Sequence, residues 1–375
     1  MGADGVGDAG LGALTTDQLE SVMASSSGTS DAASAAASDR PTDRESRRVS
    51  GASRAPLGGA PGERLRALLE AAPRTGPIAA PGAFNGLVAR AVARAGFDAA
   101  YVSGGATSAA SGVPDIGLLT LDRFAQTVRE VAGNAIDPGG ARLPVLADAD
   151  TGFGEEEMVR RTVLEYQRAG AAGLHLEDQV FPKRCGHLEG KSCVPMEQMA
   201  SKIAWAAKAA LDSADPGFVI CARTDATQVE GLDAAIDRAA AYVEAGASMI
   251  FPEGQRSEGD FLAFAERLRE RVGRRVPMLA NMTEFGRTPL IPLARFGELG
   301  YDLVIYPVTT LRVAMGAITG ALAELRDTGT VEGFQSDMQT RTGLYDLLGY
   351  EPGTPWELPD EAERGPTDNP DAAQR

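Results

Sequence analysis

Cysteine, histidine, aromatic residues and long apolar runs are all scarce in this chain. Three cysteines in 375 residues, Cys185, Cys193 and Cys221, leave an odd count and no disulfide framework. That pattern belongs to a reducing compartment, and a cytoplasmic location is expected. No His/Cys cluster has the spacing of a zinc site. No run of about 18 apolar residues occurs, so no transmembrane helix is expected. The N-terminus lacks the charged-then-apolar order of a secretory signal. Positive charge is also in deficit: 36 Lys and Arg stand against 52 Asp and Glu, a net charge of −16. This excludes nucleic acid and anionic membrane as partners, and an anionic substrate needs a local basic pocket. Residues 1–62 contain no Phe, Tyr, Trp, Ile or Cys and are rich in Ala, Gly, Ser and Asp. Such a segment cannot bury enough apolar surface to offset its ordering entropy, and a disordered tail is expected, with at most a short helix over 16–23 capped by Thr16. Residues 351–375, rich in Pro, Asp and Glu, read as a second loose tail.

Between the tails, over 63–350, a strand-then-helix alternation recurs. Apolar runs at 77–80, 99–103, 144–147, 173–176, 218–222, 248–251, 277–280 and 302–306 read as strands. Amphipathic stretches at 86–95, 121–131, 155–169, 196–211, 232–245, 261–272, 290–299 and 311–325 read as helices. Gly96, Gly170 and Gly246 each close one of them in the position of a helix C′ residue. Continuously apolar strands separated by helices indicate parallel strands buried on both faces, and this repeat predicts a closed (β/α)8 TIM barrel. An open doubly wound sheet is the competing layout. It calls for a Gly-rich phosphate loop after the first strand, which Ala80-Pro81-Gly82-Ala83-Phe84-Asn85 is not.

In such a barrel the active site gathers where the strands end in the carboxyl direction. The residues there are Tyr101, Ser103-Gly104-Gly105, Asp148, Asp150, His175, Glu177, Arg223, Glu253, Asn281, Thr283 and Arg312. Asp148 and Asp150, read as alternating on one strand, share a face and repel unless a cation lies between them. Few carboxylates with water suit Mg²⁺, with Glu177 and Glu253 completing or supporting the shell. An ordinary solvated Asp pair is the plainer reading. Ser103-Gly104-Gly105 offers a hydroxyl and open backbone N–H groups as a carboxylate cradle, or else a simple turn. Arg223 and Arg312 suit a substrate carboxylate, or a structural ion pair. His175, inside a strand, reads as a satisfied core histidine. The loop Lys183-Arg184-Cys185-Gly186-His187 places two cations and an imidazole around one thiol, which favours thiolate. Its plainer reading is a basic surface loop. Cys193 and Cys221 read as inert.

These stretches, with Pro114-Asp115-Ile116-Gly117, Asp148-Ala149-Asp150-Thr151-Gly152-Phe153-Gly154, Ala222-Arg223-Thr224-Asp225-Ala226 and Asn281-Met282-Thr283-Glu284-Phe285-Gly286, resemble the isocitrate lyase/phosphoenolpyruvate mutase superfamily. Phe251-Pro252-Glu253 and Ile305-Tyr306-Pro307 make its 2-methylisocitrate lyase branch the most similar. The resemblance covers about 63–350; the long N-terminal tail departs from it. It implies a barrel, a homotetramer whose last helix is exchanged between subunits, Mg²⁺, and carbon–carbon cleavage of a small-molecule tricarboxylate carrying a 2-hydroxyl. It further implies site roles. Asp148 and Asp150 hold metal. Ser103, Gly104 and Gly105 bind the 2-oxo-acid end. Arg223, Asn281, Thr283 and Arg312, with Arg341 from the swapped helix, bind the departing half, and Asp115, Glu253 and Met282 are further substrate-binding residues. Tyr101 takes the hydroxyl proton, and Cys185 is the general acid, beside Lys183, Arg184, Gly186 and His187. Isocitrate lyase, dimethylmalate lyase, an oxaloacetate-cleaving enzyme and a non-catalytic binding barrel remain open alternatives.

The tail's composition generates the first prediction. Deleting residues up to about 58 is expected to leave kcat within about twofold of the full chain, measured on folded protein; a large loss would mean that the tail takes part in the chemistry.

Overall fold

Strand-forming runs of Ala, Val, Leu and Ile lie where the sequence pattern puts them. The computed structural model describes residues 59–183 and 190–356. The 16–23 helix and nearly all of the N-terminal tail lie outside the described residues, as do 357–375. The strands are β1 (Ile78–Pro81), β2 (Ala100–Val102), β3 (Val145–Asp148), β4 (Gly173–Glu177), β5 (Val219–Thr224), β6 (Met249–Pro252), β7 (Leu279–Asn281) and β8 (Leu303–Tyr306). All eight overlap the expected runs, and each is followed by helix. They form two parallel sheets, β2-β3-β4-β5-β6 and β1-β8-β7. Isolated parallel bridges, Gly82 with Tyr101 and Ile250 with Met278, link the two sheets at both seams.

Alternation along the strands sorts their side chains into two layers. One contains Ile78, Tyr101, Leu146, Val219, Cys221, Met249, Phe251, Leu303 and Ile305. The other, with Val102, Val145, Leu174, Leu176, Ile220, Ile250 and Val304, joins the apolar faces of the helices. The parallel register then lines up the polar residues at the strand ends: Asp148 beside His175, Glu177 beside Arg223, and Arg223 beside Phe251.

The helix Pro61–Thr75 was not anticipated from the sequence. Its cues are present: Pro61 in the first turn, Glu63 reaching back to the Ala60 N–H, and Leu65, Leu68, Leu69 and Ala72 at helical spacing. Those four apolar residues complete the layer that contains Tyr101 and Phe251. Polar contacts fix the helix at the opposite end of the strands from their carboxyl termini. Gly62 N donates to Asp215 Oδ2 at 2.7 Å, and Arg66 Nε donates to the Gly217 carbonyl at 2.6 Å, just before β5.

After β8 the chain forms the helix Thr309–Thr328, a 3-10 turn Glu332–Asp337 and the helix Arg341–Leu348. None of the residues of Thr309–Thr328 is buried, and Val313, Ile318, Leu322 and Leu325 are exposed. The helix Arg341–Leu348 lies against Gly86–Arg94, where Arg90 Nη1 donates to the Leu348 carbonyl at 3.1 Å. Among the described residues no helix is long and apolar enough to cross a membrane.

A Cβ at Gly62 would lie 2.4 Å from the Phe218 backbone nitrogen, an approach that backbone cannot relieve. Gly62→Ala is therefore expected to destabilise by about 1–3 kcal/mol and lower Tm by several degrees, despite alanine's better helix propensity. Calorimetry checks it; an unchanged or raised Tm would show that this helix is not held at that distance.

Candidate active site

The turn after β3 builds the first part of the site. Asp148 is the last strand residue, and Asp150 lies beyond the strand with φ 46°, in the left-handed region that a non-glycine residue rarely occupies. The two carboxylates therefore do not share a face by strand alternation, as the sequence reading had it. The turn brings them together: Asp150 N donates to Asp148 Oδ1 at 2.9 Å, and Glu177 N donates to the Asp150 carbonyl at 3.0 Å. Gly104 N donates to Asp148 Oδ2 at 3.1 Å, and a Cβ at 104 would lie 2.5 Å from that oxygen, so any larger residue would displace the Asp148 carboxylate. Ser103 Oγ accepts from Ala106 N at 3.2 Å and caps the short helix Gly104–Ala110. The Ser-Gly-Gly stretch thus spends part of its hydrogen-bonding capacity on holding Asp148 and starting a helix. Gly105 faces the Asp115 carboxylate.

Lys183, which the sequence reading placed beside the thiol, points into this carboxylate group. Its Nζ is 2.8 Å from Asp150 Oδ1 and also pairs with Asp115 Oδ1. Burial disfavours the ammonium, but Glu177, Asp150, Asp148 and Asp115 outweigh it and raise the Lys183 pKa, so the charge persists. Burial together with the Asp148 charge pushes Asp150 up to about 6. Asp148 is burdened by burial too, yet His175, Lys183 and Arg223 bring its pKa below the ordinary value.

His175 is fully buried, and burial takes its pKa down to about 4, so it is neutral at pH 7. It is not a satisfied core histidine. Nε2 is 2.7 Å from Tyr101 Oη, but Nδ1, 3.7 Å from Asp148 Oδ1, has no hydrogen-bond partner among the described residues. Burial, with Asp148 next in effect, raises the Tyr101 pKa well above its ordinary value, so the phenol keeps its proton.

Beside them opens a cavity of about 160 Å³. Of the expected site residues, Tyr101, Asp115, Lys183, Arg223, Glu253, Asn281, Thr283 and Arg312 line it. Phe251, Ile305 and Pro307 supply its apolar wall. Arg223 is held by Asp225, with Nε donating at 3.0 Å and Nη2 at 3.2 Å, and its Nη1 is 3.1 Å from Glu177 Oε2. Burial raises the Glu177 pKa well above the ordinary range, and both its oxygens lack a hydrogen bond among the described residues. Asn281 Nδ2 donates to Glu253 Oε2 at 3.3 Å. Arg312 lies over the exposed Phe285 ring and 3.2 Å from Glu284 Oε2.

One expected residue is placed elsewhere: Met282 is buried in the core, its Sδ accepting from Ile291 N at 3.3 Å. Arg341, expected at the site of another subunit through a swapped helix, opens the exposed helix Arg341–Leu348. Arg184, Cys185, Gly186 and His187 lie outside the described residues.

A family model described as phosphoenolpyruvate phosphomutase matches residues 65–326, more than half of the chain. The chain belongs to this family. A Corynebacterium glutamicum protein named "Probable 2-methylisocitrate lyase 1" is 52% identical over 271 residues, covering 72% of this chain and 84% of its own. A 2,3-dimethylmalate lyase from Eubacterium barkeri is 42% identical over 281 residues, covering 73% of this chain and 90% of its own. Among solved structures, an oxaloacetate acetylhydrolase bound to 3,3-difluorooxalacetate is similar with a TM-score of 0.69 at 35% identity, covering 77% of this chain and 93% of its own. A phosphonopyruvate hydrolase in complex with oxalate and Mg²⁺ is similar with a TM-score of 0.67 at 29% identity, covering 82% and 97%.

The donor chemistry of this family member fits a hard divalent cation. No group of three or more His, Cys, Asp or Glu among the described residues is arranged to hold a metal, so a cation would rest on Asp148, Asp150 and water. That is the sparse, wet ligand set Mg²⁺ takes. Glu177 Oε1, which neither the Arg223 ion pair nor a hydrogen bond among the described residues engages, is left as an acceptor for such water.

The other cysteines are built to be inert. Burial first, then Asp178, raises the Cys193 pKa, and burial raises that of Cys221 well above its ordinary value. Iodoacetamide at neutral pH is expected to label Cys185 first, by at least about tenfold in rate. Peptide mapping reads the order, and earlier labelling of Cys193 or Cys221 would contradict it.

Proposed function

We propose that this chain is a carbon–carbon lyase that splits 2-methylisocitrate into pyruvate and succinate. The observation that carries the reading is a rim cavity where Arg223, Lys183 and Arg312 converge beside Asp148, Asp150 and the Tyr101–His175 pair. Similarity to a methylisocitrate lyase at 52% identity supports it. In this reading the two sheets act as one closed (β/α)8 barrel, and the protein works in the cytoplasm as a homotetramer. The unburied apolar stripe of Thr309–Thr328 supports exchange of that helix between subunits.

Mg²⁺, held by Asp148 and Asp150 with Glu177 in support, would supply Lewis-acid stabilisation of negative charge at the 2-hydroxy-acid end. Ser103, Gly104 and Gly105 orient that end's carboxylate, with Asp115 fixing Lys183 beside it. Arg223, Asn281, Thr283 and Arg312 hold the succinate half, and Glu253 orients Asn281. Tyr101 Oη takes the hydroxyl proton as its own proton shifts toward His175 Nε2, which avoids a buried phenolate. The carbon–carbon bond electrons pass to the succinate half as an aci-carboxylate. Cys185 then gives that carbon a proton, with Arg184 and His187 stabilising the thiolate left behind, while Lys183 stays with Asp150 and Asp115. Gly186 gives the substrate room beside the thiol.

Cleavage of 2,3-dimethylmalate is a second reading, favoured by the 42% identity to a lyase of that name. Release of 2-oxo acid from methylisocitrate, isocitrate and dimethylmalate, with and without EDTA, separates them. Methylisocitrate is expected to exceed isocitrate in kcat/KM by roughly 10–200-fold, the discrimination one methyl gains against the apolar wall of Phe251, Ile305 and Pro307. EDTA is expected to abolish turnover. Equal kcat/KM values, or full activity in chelator, would overturn this reading.

A further inference from the structure

Residues 178–183 and 190–194 carry a feature that the proposed chemistry does not use. They run antiparallel: Val180 N donates to the Ser192 carbonyl at 2.8 Å, Val194 N donates to the Asp178 carbonyl at 2.9 Å, and Gln179 bridges Cys193. From the second of these strands Lys191 reaches inward. Its side chain is 2% exposed, and its Nζ is 2.6 Å from Oδ1 of Asp225, which is fully buried. Asp225 is the carboxylate that clamps Arg223 from two nitrogens. Asp178, at the base of the same segment, accepts from Asp225 N at 2.9 Å and from Thr224 Oγ1 at 2.7 Å.

We propose that Lys191 is a positioning residue which, through Asp225, clips 190–194 to the end of β5 and fixes the orientation of the Arg223 guanidinium toward the cavity. The charge arithmetic supports it. Without Lys191, Asp225 faces Asp178 with Arg223 as its main counter-charge, and Arg223 is already shared with Glu177 at 3.1 Å and Glu253 at 3.9 Å. Lys191 supplies the additional buried cation, so that Asp225 can hold the fork of Arg223 while Nη1 stays turned to Glu177 and Glu253 and the side chain lines the cavity. Burial works against ionised Asp225, and Arg223 and Lys191 together overcome it and lower its pKa. The inference rests on the reading of Arg223 as a carboxylate anchor.

An anchor that holds a substrate carboxylate equally in ground and transition states acts on KM rather than kcat. Lys191→Met, which keeps length and removes charge, is expected to raise KM for methylisocitrate at least about tenfold with kcat changed less than about threefold. Lys191→Arg should restore KM to within about threefold. Lys191→Met combined with Asp225→Asn should be far less than additive. Hydrogen exchange without substrate should quicken at Val180 and Val194 in Lys191→Met, with Tm lowered by only a few degrees. An unchanged KM, or equal losses in kcat that Lys191→Arg fails to rescue, would overturn the proposal. If the wild type releases no 2-oxo acid, the lyase reading fails by itself. The clip is then judged on exchange alone, and unchanged exchange at both amides would sink it.

Discussion

Arg223 stands almost out of solvent among carboxylates, with Asp225 at 3.0 Å, Glu177 at 3.1 Å and Glu253 at 3.9 Å. Taking one ion out of water costs several kcal/mol, and removing one partner of a buried pair costs about 3–5 kcal/mol. Such charges persist only as a matched set. The set here extends along the strand ends through Lys183 to Asp150 and Asp115, and through Lys191 to Asp225. Asp115, Asp148, Asp150, Glu177, Asp225 and Glu253 outnumber Lys183, Lys191 and Arg223. Burial first, and then the Asp148 charge, drives Asp150 up to about 6, and the surplus of carboxylates around it is the electrostatic argument for the divalent cation proposed above.

The apolar layer beneath gives these charges their geometry. Phe251 meets His175 edge-on at 5.4 Å between ring centroids, and the Arg223 guanidinium lies 5.3 Å from the same ring. Tyr101 stacks on His175 from the other side at 5.9 Å. One phenyl ring thus braces both the imidazole that partners Tyr101 and the arginine that faces the cavity. Below it, the leucines of Pro61–Thr75 fill the same layer. Packing at the far end of the strands and alignment at the rim are therefore parts of one structure.

How much of this was legible depended on whether a feature is local in sequence. The eight strands were readable because parallel strands buried on both faces must be apolar throughout, and Gly or Pro marks their ends. The helix Pro61–Thr75 does not stand out because its first turn, Pro61 and Gly62, still has the composition of the low-complexity tail, although Leu65, Leu68, Leu69 and Ala72 are correctly spaced. The Asp148/Asp150 pairing was anticipated for the wrong reason: alternation needs an extended backbone, and Asp150 has φ 46°. His175 and Lys183 show the limit more sharply. Nothing in the sequence near either residue says that one faces Tyr101 and Asp148, or that the other reaches Asp115, 68 positions earlier. Those contacts come from strand register and loop course, which only the folded chain fixes. Lys191 is illegible for a related reason: its partner Asp225 is 34 positions away.

The two cavity arginines illustrate how burial divides labour between like residues. Arg223 is held by fully buried partners and cannot leave them without stranding a charge. Arg312 is different: its side chain is 41% exposed, and its partner Glu284 is 27% exposed. An ion pair that open is worth about 0–1 kcal/mol, so an incoming carboxylate can displace Glu284 at little cost. Two contacts hold Arg312 once the Glu284 carboxylate is displaced: the hydrogen bond from Nη1 to the Glu284 backbone carbonyl, and the Phe285 ring, with the guanidinium 5.2 Å from its centroid. Phe285 itself is 95% exposed and holds φ 58°, a conformation that costs an aromatic residue about 1 kcal/mol or more and gains it no burial. That local cost has a structural return only if the ring's position matters to the rim. Arg223 is thus the rigid member of the pair and Arg312 the exchangeable one, which suits the binding and release of a substrate carboxylate proposed above.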